Sequence, residues 1–263
     1  TGASTAVDSA IRLCQLANNI KGKPQRKHIL SREHAYHGST FLAASVTVQE
    51  RDKTAMDTLQ YCVHFLSAPC QFYHDSQVSE QEFCDFLIDE LEQKILELGP
   101  ENVMCFIAEP ILGSGGVIVP PADYNRRSWE MVKKHGIIYI ADEVVTAFGR
   151  LGHWFASEKV FGVVPDIITF AKGVTSGYVP MGGFAVSDQF MADISGDAAH
   201  GNIFPNGYTW AASPVSCAAA LSSWVIIERE GLLEHVREVG PYFQQQMQTL
   251  LELPQVGDVR DAG

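Results

Sequence analysis

An α/β domain, its sheet mostly parallel and covered by helices on both faces, is the fold this sequence predicts. Two observations carry that expectation. Three short apolar runs, at 103–108, 137–141 and 167–171, are built mainly from Val, Ile, Phe and Ala, and each is followed by a charged residue. Continuous apolar runs of strand length mark a parallel sheet buried on both sides. Amphipathic segments of helical period lie before, between and after these runs, and their alternation with strands is the pattern of a helix-covered sheet.

The elements follow in order. Residues 4–21 read as a helix, with Ser4 available as cap, Ile11, Leu13, Leu16, Ala17 and Ile20 on the apolar side, and Gly22 as stop. Residues 27–31 form a short strand candidate. A second helix spans 79–98. Ser79 caps it, Glu82 stands at the third helical position, and Phe83, Phe86, Leu87, Leu91, Ile95 and Leu98 supply a core face. The run at 103–108 is followed by a helix at 124–135, with Asp123 as its cap, and then by the run at 137–141. After 167–171 come a further strand near 184–186, an Ala-rich helix at 213–228 and a last helix at 232–251. The expected division is a large domain at 1–213, with 214–263 leading towards a second, smaller one. Both ends read as interrupted, so a fragment is expected.

Composition narrows the function classes. The chain has 263 residues, 46% hydrophobic and 19% charged, which suits a globular core rather than disorder. Its formal charge of -12 argues against nucleic acid or an anionic membrane as the main partner. No apolar run is long enough to span a bilayer, and the first residues lack the pattern of a signal peptide, so a cytoplasmic location is expected. The six cysteines are scattered without a CxxC pair and are expected as reduced thiols. The nine histidines show no ligand spacing, so no metal site is expected.

The chemistry should lie at the C-terminal ends of the strands, where open α/β sheets bind ligands. The first run ends at Glu109, the second at the pair Asp142–Glu143 and the third at Lys172. One such residue is ordinarily a solvated loop residue. Three in succession, with glycines beside them, point to a partner or a cofactor. A lysine among small residues can form an imine with an aldehyde. An aspartate one strand away can hold a protonated heterocyclic nitrogen. The start of the first helix, after Gly2 and Ala3, can take a phosphate on free amides. Tyr36, in the segment AYHGST, can stack on a ring. Lysine, aspartate, phosphate cradle and aromatic together describe a site for pyridoxal 5'-phosphate.

Six segments carry a family resemblance. They are GASTAVDSAIR (2–12), AYHGST (35–40), AEPILGSGGVIVPP (108–121), ADEVVTAFGRLGHWF (141–155), FAKGVTSGYVPMGG (170–183) and NGYTWAASP (206–214). In this order they resemble the class III, fold-type I aminotransferases that depend on pyridoxal phosphate. The likeness is greatest to the group that moves nitrogen from an amine or ω-amino acid to pyruvate.

The resemblance implies roles for named residues. Lys172 would hold the cofactor covalently and later shuttle a proton, and Asp142 would pair with the pyridine nitrogen. Val144 and Tyr36 would pack on the two ring faces. Ala3 and Ser4 would contact the phosphate, and Thr209 would reach the phosphate of a neighbouring subunit in a homodimer. Glu109 would lie near the ring-proximal substrate region, Ser114 would line a small substrate pocket, and His37 would give a positioning hydrogen bond.

Departures from the family pattern are Thr5 in place of Glu, Gly2-Ala3 in place of Ser-Gly, Leu112, Ala147 and the turn at 210–213. Val145 replaces a Gln found in ornithine- and 4-aminobutyrate-type members, which favours the amine–pyruvate branch. The resemblance also implies segments beyond both ends, and hence weak cofactor binding or none, and poor turnover, by this chain alone. The competing expectation is a catalytically incomplete large domain that keeps only the fold and dimerisation.

Overall fold

The computed structural model describes residues 2–48, 56–59, 61–74, 78–195 and 203–263. Among them, six strands form one sheet in the order β2-β1-β3-β4-β5-β6. The strands are β1 (His28–Arg32), β2 (Val63–Leu66), β3 (Val103–Ala108), β4 (Ile138–Asp142), β5 (Ile167–Phe170) and β6 (Gly183–Val186). All neighbours pair parallel except β5 and β6, which are antiparallel. The principal helices are α1 (Ala3–Ile20), α2 (Phe41–Ser45), α3 (Glu80–Leu98), α4 (Tyr124–Lys134), α5 (Ala156–Phe161), α6 (Asp188–Ile194), α7 (Pro214–Arg229) and α8 (Leu232–Gln248).

Successive strand residues face opposite sides, and each side has its own cover. On one side Ile29, Ile107, Ile140 and Ile167 pack with Val7, Ile11 and Cys14 of α1. On the other, Leu30, Phe106, Tyr139 and Ala141 pack with Leu91 and Ile95 of α3 and Val132 of α4. The sheet is therefore doubly covered, as the unbroken apolar runs require. No helix of the described residues is long and apolar enough to cross a membrane, and the six cysteines are free thiols.

Three local expectations need correction. Ser4 does not cap α1. Gly2 is the N-cap, and the Thr5 hydroxyl both accepts from the Gly2 N–H and donates to the Gly2 carbonyl. Thr5 thus satisfies the N–H of the cap residue itself, while no side chain among the described residues caps the first-turn amides. Asp123 stands at the N-cap of α4, but its φ is +66° and its side chain makes no capping bond. It pairs instead with Arg126. Phe86 does not belong to the core face of α3, being 48% exposed, whereas Phe83 and Leu87 are buried.

The topology fixes where a site can be. β1 is followed by β2 on one side and by β3 on the other, so the strand order reverses at β1–β3. Loops leaving adjacent strands there diverge and open a crevice at the carboxyl edge. Arg32, Ala108, Asp142 and Phe170 end β1, β3, β4 and β5 on that edge.

Candidate active site

The segment after β1 is pinned by carboxylates from two other strands. Glu109 follows β3, and its Oε1 accepts from the Tyr36 N–H at 3.0 Å while its Oε2 accepts from the Gly113 N–H at 3.0 Å. Burial pushes the Glu109 carboxyl above its usual range; His37 opposes that shift and Asp142 adds to it. Asp142 is the last residue of β4. Its Oδ1 accepts from the Val144 N–H at 3.1 Å, and its Oδ2 lies 2.6 Å from His37 Nδ1. Both side chains are essentially inaccessible, at 0% for His37 and 2% for Asp142. His37 also donates its backbone N–H to Thr47 Oγ1 at 2.9 Å. Tyr36 and His37 are therefore held in place by β3 and β4.

The same segment lies on the start of α1. Ser39 donates its N–H to Ser4 Oγ at 3.0 Å. A side chain at Gly38 would meet Ser4 Oγ at 2.4 Å, so only glycine permits this approach. Gly182 is equally constrained: a Cβ there would lie 2.5 Å from the Gly2 carbonyl. The first-turn amides of α1 have no acceptors within the helix and carry the positive end of its dipole.

Lys172 leaves β5 through Ala171 and opens a short 3-10 turn, Lys172–Thr175. Its φ is +40°, a conformation that costs a non-glycine residue about 1–3 kcal/mol and is characteristic of functional positions. Its amine forms no ion pair or hydrogen bond with the described residues.

These groups enclose a cavity of about 470 Å³. Ala3, Ser4, Tyr36, His37, Glu109, Ser114, Asp142, Val144 and Lys172 all line it. The structure thus brings together nine of the ten residues singled out in the sequence. Thr209 is exposed and lies outside the lining, in a position open to a neighbouring molecule. Sequence reasoning missed Gly38, Val145, Thr175, Gly177, Val179, Pro180 and Met181, which also line the cavity. All seven lie inside segments that carry the family resemblance (35–40, 141–155 and 170–183), and Val145 stood out there only as a departure from the family pattern, so the motifs marked the neighbourhood without marking which residues face the cavity.

The carboxylate pair divides. Glu143 is completely buried and turns away from the cavity. It accepts from the Ala156 N–H at 2.6 Å, the Ser157 N–H at 2.9 Å, the Ser157 hydroxyl at 2.6 Å and the Thr146 hydroxyl at 3.1 Å. It is the anion that completes the start of α5. Glu143→Gln turns an amide NH₂ towards donors, so it should cost about 2–4 kcal/mol of stability. Chemical denaturation measures this, and a loss below the scatter of such fits would refute the role.

A strand-end lysine, a buried aspartate–histidine pair and a helix start thus meet in one crevice at the carboxyl edge of an α/β sheet. The chain belongs to the class-III aminotransferase family, whose model matches residues 1–263. It is 39% identical over 261 residues to a putrescine–pyruvate aminotransferase of Pseudomonas aeruginosa, covering 99% of this chain and 56% of that protein. It is 37% identical over 266 residues to the mitochondrial gamma-aminobutyrate transaminase 1 of Oryza sativa, covering 99% of this chain and 50% of that one.

Among solved structures, a thermostable (S)-enantioselective omega-transaminase from Thermomicrobium roseum superposes with a TM-score of 0.94 at 38% identity, covering 100% of this chain and 58% of that one. An omega-transaminase of Pseudomonas jessenii in complex with PMP gives 0.94 at 35% identity, over 100% and 58% of the two chains. The chain therefore spans about half the length of the curated relatives it matches. Its fold is that of the fold-type I pyridoxal-phosphate transaminases.

Proposed function

We propose that this chain is the cofactor-binding part of a transaminase that passes nitrogen from an amine or ω-amino acid to an α-keto acid such as pyruvate. The observation that carries this reading is the shared cavity: a lysine amine without a partner among the described residues, the buried carboxylates of Asp142 and Glu109, and one helix start line the same space. The putrescine–pyruvate and gamma-aminobutyrate relatives support the donor and acceptor classes. We place the cofactor part at 1–213 and read 214–263 as leading towards a further domain.

The residues fit pyridoxal 5'-phosphate. His37 Nε2 is buried with no hydrogen-bond partner among the described residues. Gly38 and Gly182 keep the start of α1 free of side chains. When bound, this cofactor supplies an aldehyde for nitrogen and a ring that withdraws electrons.

The chain's own residues do the rest. Lys172 Nζ would hold the cofactor's aldehyde carbon and would carry the proton at the nitrogen-bearing carbon of the substrate. Asp142, oriented by His37 and the Val144 N–H, holds a proton on the ring nitrogen by charge. Val144 and Tyr36 bound the ring from two sides. Ala3 and Ser4 hold the phosphate at the positive end of α1, and Thr209 serves the phosphate of a second subunit in a homodimer. Glu109, which holds the Tyr36 N–H, stands at the ring-proximal substrate region, and Ser114 lines the substrate side.

Nitrogen tracing tests the proposal. With pyridoxal 5'-phosphate, ¹⁵N-putrescine or ¹⁵N-4-aminobutyrate and pyruvate, mass spectrometry should find ¹⁵N-alanine. Label that stays with both donors would favour a chain that keeps the fold without turnover.

A further inference from the structure

The turn that carries Lys172 is strained at both ends. Lys172 has φ +40°, and Ser176, which closes the turn, has φ +50°. Such conformations persist only where the surroundings over-determine them. Within the turn, the Val174 N–H reaches the Ala171 carbonyl at 3.0 Å and the Ser176 N–H the Gly173 carbonyl at 3.1 Å.

The Thr175 hydroxyl donates to the Val179 carbonyl at 2.7 Å, and further ties come from α7, far along the chain. Trp224 donates its indole N–H to the Val174 carbonyl at 3.1 Å. The hydroxyls of Ser223 and Ser176 lie 2.7 Å apart. The Trp224 ring stacks on Phe148, with centroids 5.8 Å apart and planes at 18°. Trp154 packs against both rings, each at 6.3 Å. Phe148 in turn lies against the turn itself, since a Cβ at Gly173 would come within 2.9 Å of Phe148 Cβ.

We propose that Trp224 is a positioning residue for Lys172: its indole N–H and its stacking on Phe148 fix the turn from which the amine enters the cavity. The proposal rests on the reading of Lys172 as the cofactor lysine. An amine that must first anchor a carbon and then move a proton at it depends on where its own backbone is held. Trp224 supplies a directional bond and a flat aromatic support at that point, and Ser223 supplies a second tie beside it.

Hydrogen exchange and visible spectroscopy test this together. Trp224→Phe keeps a ring on Phe148 and removes the donor, and Ser223→Ala removes the second tie with little change in packing. In each variant the Val174 and Ser176 amides should exchange roughly five- to tenfold faster, the effect of losing one hydrogen bond on local opening. After addition of pyridoxal 5'-phosphate, the ratio of circular dichroism to absorbance in the visible band should fall, because that ratio reports how the bound chromophore is oriented.

Unchanged exchange in both variants overturns the proposal. So does faster exchange with an unchanged ratio, for Trp224 would then hold the turn without orienting the amine. If the unmodified protein forms no borohydride-sensitive band, the assignment of Lys172 fails instead, and exchange alone decides whether Trp224 holds the turn.

Discussion

Lys172→Ala leaves the protein unable to develop the yellow, borohydride-sensitive absorbance that the unmodified chain acquires with pyridoxal 5'-phosphate. The expected loss is complete, because the absorbance requires a covalent link between a lysine amine and the cofactor aldehyde. Lys133, at the opposite, amino-terminal edge of the sheet, illustrates the contrast: it is ion-paired with Asp166 at 2.7 Å. Lys172 lines the cavity, and its amine is without a described partner. The substitution should leave the fold intact, since that side chain makes no hydrogen bond or ion pair among the described residues. Lys172→Arg separates charge from chemistry. It keeps a cation at the site but cannot form the link, so it should be equally colourless. A yellow band persisting in either variant would remove Lys172 from this role, whatever its effect on turnover.

Much of this site was legible in the sequence, for a physical reason. A parallel strand buried on both faces admits few polar residues, so its end is sharply marked where charge begins. Glu109, Asp142 and Lys172 stand at such ends, and the sheet topology alone brings them to one edge. What was not legible depends on direction. Adjacent carboxylates at 142 and 143 look alike in sequence, yet one ends a strand facing the cavity and the other completes α5 from beneath. Phe86 fits the helical period of α3, but the period locates a stripe and not its edge, and Phe86 falls outside it. β2 is four residues long with a mixed burial pattern, too short for its pattern to declare a strand. Trp224 reads as one more apolar residue of a helix. Only the folded chain shows that its N–H meets a carbonyl of the lysine turn.

Asp142→Asn should separate cofactor attachment from chemistry. The amide matches the carboxylate in shape but removes the negative charge, and with it the hold on a ring-nitrogen proton. The yellow band should still form, because Lys172 is untouched, while turnover falls by roughly 10²–10³-fold, the scale of removing one well-placed electrostatic group. The geometry sharpens this expectation. Asp142 uses one oxygen for the Val144 N–H and the other for His37 Nδ1. An asparagine oxygen can serve only one of them, and its NH₂ must then face the other. If the oxygen keeps Val144, His37 must present a lone pair at Nδ1 and carry its proton on Nε2, which is buried without a partner among the described residues. Either orientation disturbs the pair, so a loss confined to turnover should come with a changed environment of the His37 ring, readable by NMR. Asp142→Glu keeps the charge but overfills a site in which the carboxylate is 2% exposed, so it should recover part of the turnover and not all of it. Turnover in Asp142→Asn within twofold of the parent would mean that this buried charge does not serve the ring nitrogen, and the assignment of the crevice would fail with it.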